Sequence, residues 1–149
     1  MYGKDLIDDL KSELGGNLET AVVAIMYTEA EYDAHLLRHA MKGVGTEESE
    51  LIHVLAGRTN VEIGAIKAAY EHLYKRDLEK DIMSETSGHF KRLLVSLVQG
   101  NRSEAPADLH KAAAAAAALK EAGEAHWGTD ESEFNRLIVV SSPAQLRGR

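Results

Sequence analysis

Thr59-Asn60-Val61-Glu62-Ile63-Gly64-Ala65-Ile66-Lys67-Ala68-Ala69-Tyr70-Glu71-His72-Leu73-Tyr74 sets its large apolar side chains at 63, 66, 70, 73 and 74, a single face at helical spacing. Thr59 and Glu62 stand in the capping-box relation, a hydroxyl and a carboxylate placed to satisfy free N–H groups of the first turn. Thr28 and Glu31 repeat that start signal, and Phe90, Leu93, Leu94, Leu97 and Val98 form another apolar face of the same period. Nothing in the chain reads as strand-rich. The fold class expected is all-α. Of the two prolines, Pro106 lies in Gly100-Asn101-Arg102-Ser103-Glu104-Ala105-Pro106, which reads as a linker between helices.

The 149 residues, 44% of them hydrophobic and 28% charged, suffice for one domain with a core of its own. The longest apolar stretches, Ala21 to Tyr27 and Ala112 to Leu119, fall far short of the roughly 20 residues that span a bilayer, and no signal segment opens the chain. Cysteine is absent, so thiolate metal sites, disulfides and cysteine nucleophiles are excluded, in keeping with a cytoplasmic address. The formal charge of −7 argues against nucleic acid, whose binding rests on phosphate neutralisation by clustered Lys and Arg. The same charge opposes an anionic membrane. Binding there would need a cation as intermediary.

An internal repeat emerges when Asp5-Leu6 through Glu13-Leu14-Gly15-Gly16 is laid over Asp77-Leu78 through Glu85-Thr86-Ser87-Gly88, at an offset of 72 residues. The loop Gly43-Val44-Gly45-Thr46-Glu47-Glu48-Ser49-Glu50-Leu51 returns as Gly128-Thr129-Asp130-Glu131-Ser132-Glu133-Phe134, at an offset of 83. The chain is thus expected to begin and end inside a repeat, leaving apolar faces available for self-association or a protein partner.

The loop after the helix expected over Glu29 to Met41 is where chemistry would reside. The last carbonyls of a helix lack intrahelical partners, and Gly43 and Gly45 allow the backbone to bring several carbonyls together. Calcium takes about 6 to 8 oxygens, carbonyls mixed with carboxylate, so a distant acidic side chain would be needed to complete a site. Read from these residues alone, the loop is first of all a plain glycine turn that ends a helix.

The run Met41-Lys42-Gly43-Val44-Gly45-Thr46 is followed by Ala56-Gly57-Arg58-Thr59-Asn60, Ile66-Lys67-Ala68-Ala69-Tyr70, Asp77-Leu78-Glu79-Lys80-Asp81-Ile82 and Ser87-Gly88-His89-Phe90. Together these motifs closely resemble an annexin repeat. Asp5-Leu6-Ile7-Asp8-Asp9-Leu10-Lys11-Ser12-Glu13-Leu14 and Glu31-Tyr32-Asp33-Ala34 are similar to the second half of the preceding repeat. Ala122-Gly123-Glu124 and His126-Trp127-Gly128-Thr129-Asp130-Glu131 are similar to the opening of the next. The resemblance implies an annexin-like array with about five short helices per repeat. It divides the chain into the C-terminal half of one repeat (1–40), a complete repeat (41–102), and a linker with a partial, divergent repeat (103–149).

The resemblance also implies calcium-dependent binding to acidic phospholipid membranes, peripheral and cytoplasmic, with Ca²⁺ held by carbonyls of Met41, Gly43 and Gly45 and the carboxylate of Glu85. Thr46 and Glu48 would form a weaker accessory site. Glu13 matches the carboxylate of the preceding repeat and stands as an orphan half-site. Gly123, His126 and Gly128 match carbonyl positions of the following one, an incomplete site. Trp127 on that loop would insert at the headgroup level or pack in the ordinary way.

Two departures stand out. The seven alanines from Ala112 to Ala118 favour helix but offer little volume for packing. Val139-Val140-Ser141-Ser142-Pro143 lacks the Thr-Arg-Ser type of turn to which Arg58 belongs. His35 and His39 stand at i, i+4, a spacing open to zinc or to two solvated histidines, with no third ligand evident. No Ser/His/Asp order, phosphate loop or paired carboxylates point to an enzyme. The alternative function is a calcium-independent protein-interaction module.

Overall fold

The computed structural model describes residues 6–43, 45–124 and 131–147, and among these every regular element is a helix. The order is α1 (Leu6–Glu13), α2 (Gly16–Met26), α3 (Glu29–Ala40), α4 (Glu48–Gly57), α5 (Asn60–Tyr74), α6 (Leu78–Glu85), α7 (Gly88–Val98), α8 (Leu109–Glu124), α9 (Glu131–Val140) and α10 (Pro143–Arg147). Both expected capping boxes form: the Thr28 and Thr59 hydroxyls accept from the amides of Glu31 and Glu62, whose carboxylates accept the cap amides in return. Helix α6 is capped by Asp77, whose carboxylate accepts from the Lys80 amide at 2.9 Å.

Helices α3 to α7 share one core. Leu37, Leu51, Leu55, Ile66, Tyr70, Ile82, Leu94 and Val98 have the largest fully buried side chains, and each of the five helices contributes at least one of them. Burial of such a side chain stabilises by about 1.5–3 kcal/mol, so the apolar faces at helical spacing supply the main driving force. Helix α3 packs chiefly against α5 and α4, α4 against α7, and α6 against α7. Helix α1 packs on α2, while α9 joins the central unit through α7 and is covered by α8.

The sequence offsets reappear as helix boundaries. Shifting α1 and α2 by 72 residues gives the bounds of α6 and α7, and shifting α4 by 83 gives those of α9. The cause is local: the same cap and turn residues recur at the same places. Gly16 and Gly88, at φ 61° and 58°, open α2 and α7 in the left-handed region, where glycine carries no Cβ penalty.

Asp33, only 2% exposed, is held by a two-pronged Arg58 fork, Nε to Oδ2 at 2.6 Å and Nη2 to Oδ1 at 2.9 Å. These bonds hold the Arg58 guanidinium above its usual pKa, and they tie the turn between α4 and α5 to the middle of α3. At an offset of 83 the counterpart of Arg58 is Ser141, and the counterpart of Asp33 falls within Ala112 to Ala118. Both members of the pair are replaced together, and the Asp33 counterpart, Ala116, is exposed.

A different set of contacts secures that end of the chain. Arg102 donates to the carbonyls of Ala56 at 3.0 Å and Ser141 at 2.8 Å, while its backbone exchanges two hydrogen bonds with the Asn60 amide at 2.7 and 3.0 Å. Ser142, 3% exposed, caps α10 by accepting from the Gln145 amide, and the Gln145 side chain pairs twice with the Asp108 backbone. Ala112, Ala115, Ala118 and Leu119 are the half-buried positions within α8, so the alanine run forms a thin inward face with no fully buried side chain among the described residues.

Replacing Arg58 by Leu should therefore strand a buried carboxylate and lower stability by about 3 kcal/mol. Urea denaturation followed by circular dichroism would register this as an earlier midpoint with little change in slope.

Candidate metal centre

The proposed cation loop leaves α3 at Met41, whose amide bonds back to the Leu37 carbonyl at 3.2 Å and whose side chain is 2% exposed. The anchored methionine fixes where the loop starts. Gly43 and Gly45 adopt φ 117° and 91°, a region that disfavours L side chains, and each has open space where a Cβ would stand. Glycine is required here by backbone conformation, not by crowding. The Glu47 amide then closes the loop onto the Ala40 carbonyl at 2.9 Å. Among the described residues no backbone amide donates to the carbonyls of Met41, Gly43 or Gly45.

Glu85 arrives from the end of α6, and the structure brings the two segments together. The Thr46 hydroxyl donates to the Glu85 backbone carbonyl at 3.0 Å across 39 residues of sequence. Gly43, Gly45 and Glu85 are all exposed, so this junction faces solvent. Thr46 and Glu48, the expected accessory pair, are neighbours in which the Glu48 amide donates to the Thr46 carbonyl at 3.0 Å. The donor set is carbonyl and carboxylate oxygen only, which suits a hard divalent cation. Among the described residues no cluster of three or more His, Cys, Asp or Glu side chains is gathered for a metal. A loop site whose ligands are mainly backbone does not require one.

What positions Glu85 is a residue the sequence reading passed over. Asp81, one turn earlier on α6 and 5% exposed, accepts from Arg76 at 2.7 and 2.6 Å, from the Tyr70 hydroxyl at 2.7 Å and from Arg38 at 3.5 Å. The Arg76 bonds, with those of Tyr70 and the nearby Arg38, hold its carboxyl below the usual range against the opposing effect of burial. Burial, with the Asp81 bond and charge, raises the Tyr70 hydroxyl, which stays protonated as a donor. The available signal was register: Asp81 lies between Leu78 and Ile82, both buried, on the inward face of α6.

The remaining site residues are dispersed. Glu13 is exposed at the end of α1, one helix pair away from the Met41 loop. Gly123 sits in the last turn of α8, while His126, Trp127 and Gly128 lie outside the described residues. His35 contacts Tyr74 through Nδ1 at 3.3 Å, and His39 faces Glu50 at 3.9 Å. The spaced histidines thus have separate neighbours.

The family model for annexins matches residues 32–97. Annexin A7 from Homo sapiens is 53% identical over 147 residues, covering 98% of this chain and 30% of that protein. The solved structure of annexin III superposes with a TM-score of 0.89 at 43% identity, covering 99% of this chain and 46% of the other. A calcium-bound annexin (Sm)1 structure gives 0.79 at 28% identity, with 99% and 46% covered. This chain therefore spans less than half the length of these relatives.

Acid should act on the fold through Asp81. Its contribution is complete above an unfolded value of about pH 4 and is lost as pH falls through the lower folded value. Asp81→Asn should lower stability at neutral pH and flatten the acid limb of the curve, as thermal melts across a pH series would reveal.

Proposed function

Because this chain belongs to the annexin family, we propose that it binds acidic phospholipid surfaces peripherally through calcium, with Met41, Gly43 and Gly45 contributing carbonyls and Glu85 its carboxylate. The observation that carries this reading is the Thr46 to Glu85 hydrogen bond, which sets the carbonyl-bearing loop beside the carboxylate-bearing helix end. Positive φ at Gly43 and Gly45 turns that loop, and the absence of described backbone amide donors to its carbonyls supports a ligand role. Bound there, calcium would offer remaining coordination positions to a lipid phosphate oxygen and so offset the repulsion between two negative surfaces.

The chain's own residues do the rest. Asp81 fixes the pitch of α6, Thr46 fixes its end against the loop, and the buried Met41 side chain holds the loop's first residue. Thr46 and Glu48 form a weaker second site, and Glu13 and Gly123 belong to equivalent positions of neighbouring repeats. Since α3 shares the core of α4 to α7, the repeat is best counted from α3, as residues 29–98. None of the described helices is long and apolar enough to cross a membrane. The attachment proposed is peripheral and on the cytoplasmic side, as the family resemblance implies. The reading is a non-enzymatic one.

A second reading draws on the exposure of Leu18, Ile25 and Met26 along α2, at 61%, 83% and 41%, which suits docking of a protein partner without calcium. The two readings part at Glu85→Gln, which removes a charged ligand at nearly constant shape.

Sedimentation with phosphatidylserine vesicles should be strong in calcium, absent with chelator and absent with neutral vesicles. Glu85→Gln should abolish it while leaving the circular dichroism spectrum unchanged. A folded protein that stays in the supernatant at saturating calcium would sink the calcium reading. Thr46→Val, which removes the hydroxyl bond that joins the two segments, should weaken calcium binding by about tenfold, measured by calorimetry.

A further inference from the structure

A groove of about 530 Å³ lies between α1, α3 and the end of α5, separate from the carbonyls of the calcium loop. Lys11, Arg38 and Lys42 line it with Tyr27, His35 and Tyr74; His39 also borders it, and no carboxylate among the described residues does. In a chain of net charge −7 such a concentration of cationic side chains is a local inversion of the overall field. The acidic neighbours Glu19 and Glu50 border the adjoining groove on the α2 side.

The cluster is built, not a chance scatter of surface lysines. Lys11 Nζ stands 3.5 Å from the Tyr27 hydroxyl and 5.7 Å from that ring's centre, the Tyr27 and His35 rings are 5.5 Å apart, and His35 Nδ1 is 3.3 Å from the Tyr74 hydroxyl. Arg38 reaches Asp81 only at 3.5 Å, while the Arg76 fork and Tyr70 already meet that carboxylate at 2.6 to 2.7 Å. Arg38 thus keeps its longer ion pair with Asp81 through Nη1 while also lining the groove, where its other guanidinium N–H groups can serve an anion. Burial, reinforced by Tyr27 and opposed by Arg38, pushes the Tyr74 hydroxyl up to about 12, so it stays a donor at neutral pH.

We propose that this groove binds a phosphate-class anion without calcium, Lys11, Arg38 and Lys42 supplying charge and Tyr27, Tyr74 and His35 directed hydrogen bonds. Three cations facing one half-enclosed space suit the charge of a phosphomonoester better than that of a carboxylate. The occupant is free inorganic phosphate, a soluble phosphomonoester, or the monoester headgroup of a lipid. The site goes beyond the calcium reading, since it uses neither Glu85 nor the loop carbonyls.

The test is calorimetric titration of the full chain with inorganic phosphate in chelator, with His35 ring signals followed by NMR. Saturable binding that moves His35 is expected, weakened at least about tenfold in Lys11→Gln/Lys42→Gln and unchanged in Lys80→Gln, which removes one exposed charge elsewhere. If the double variant melts early, Lys42→Gln alone, at an exposed position, carries the test. Vesicles containing phosphatidylinositol monophosphate, compared in chelator with phosphatidylserine vesicles, distinguish the sources: selective pelleting assigns a lipid headgroup, and phosphate binding without pelleting assigns a soluble ligand. Absence of saturable binding, or equal weakening by Lys80→Gln, would overturn the site.

Discussion

The Asp81 carboxylate is the interaction on which the central unit depends. It is nearly sealed from solvent and yet charged, a state that needs several donors aimed at it. Those donors come from α3 through Arg38, from α5 through Tyr70, and from the turn before α6 through Arg76. The core would hold these helices together by apolar burial alone, but burial is non-directional and leaves their rotation and pitch loosely set. The carboxylate adds direction. With α6 fixed in pitch, its last residue Glu85 comes to the loop after α3, where the Thr46 bond completes the junction.

The comparison between copies of the repeat separates what the architecture requires from what it tolerates. Caps and turn glycines recur at constant offsets because each satisfies a backbone demand that any copy must meet. The Asp33–Arg58 pair does not recur: at the same offset stand Ala116 and Ser141, and Ala116 is exposed where Asp33 is buried. Arg102 and the Ser142–Gln145 cap fasten α9 and α10 by backbone hydrogen bonds instead of by a buried ion pair. Volume lost along α8 has no such substitute, and its inward face stays only half-buried.

Charge is distributed to the same logic. The acidic excess lies mostly on outer helix faces, where solvent screens it. At two places the balance is locally different. The loop after α3 brings its glycine backbone beside the end of α6, and the groove between α1, α3 and α5 gathers Lys11, Arg38 and Lys42. Lys42 belongs to both neighbourhoods, following Met41 in the loop while its side chain lines the groove. The end of one helix thus offers carbonyls and cationic side chains side by side.

By itself the sequence determined the helical class, the two capping boxes, the repeat offsets and the family, because these rest on local periodicity and on residues whose backbone demands are their own. Thr59 with Glu62, or Gly43 with Gly45, needs no distant partner to be legible. Tertiary structure alone decided which charges are buried and which segments meet. Asp81 reads as one more solvated charge in Leu78-Glu79-Lys80-Asp81-Ile82 until α3 and α5 are packed around it, and Asp33 with Arg58 is only a pair of residues 25 apart. Lys11 and Lys42 stand in repeat motifs that say nothing of Arg38 or of one another, since the groove they share is formed only in the fold, by residues of α1, α3 and α5. A local cap is a property of neighbours in sequence, whereas desolvation and charge pairing are properties of neighbours in space.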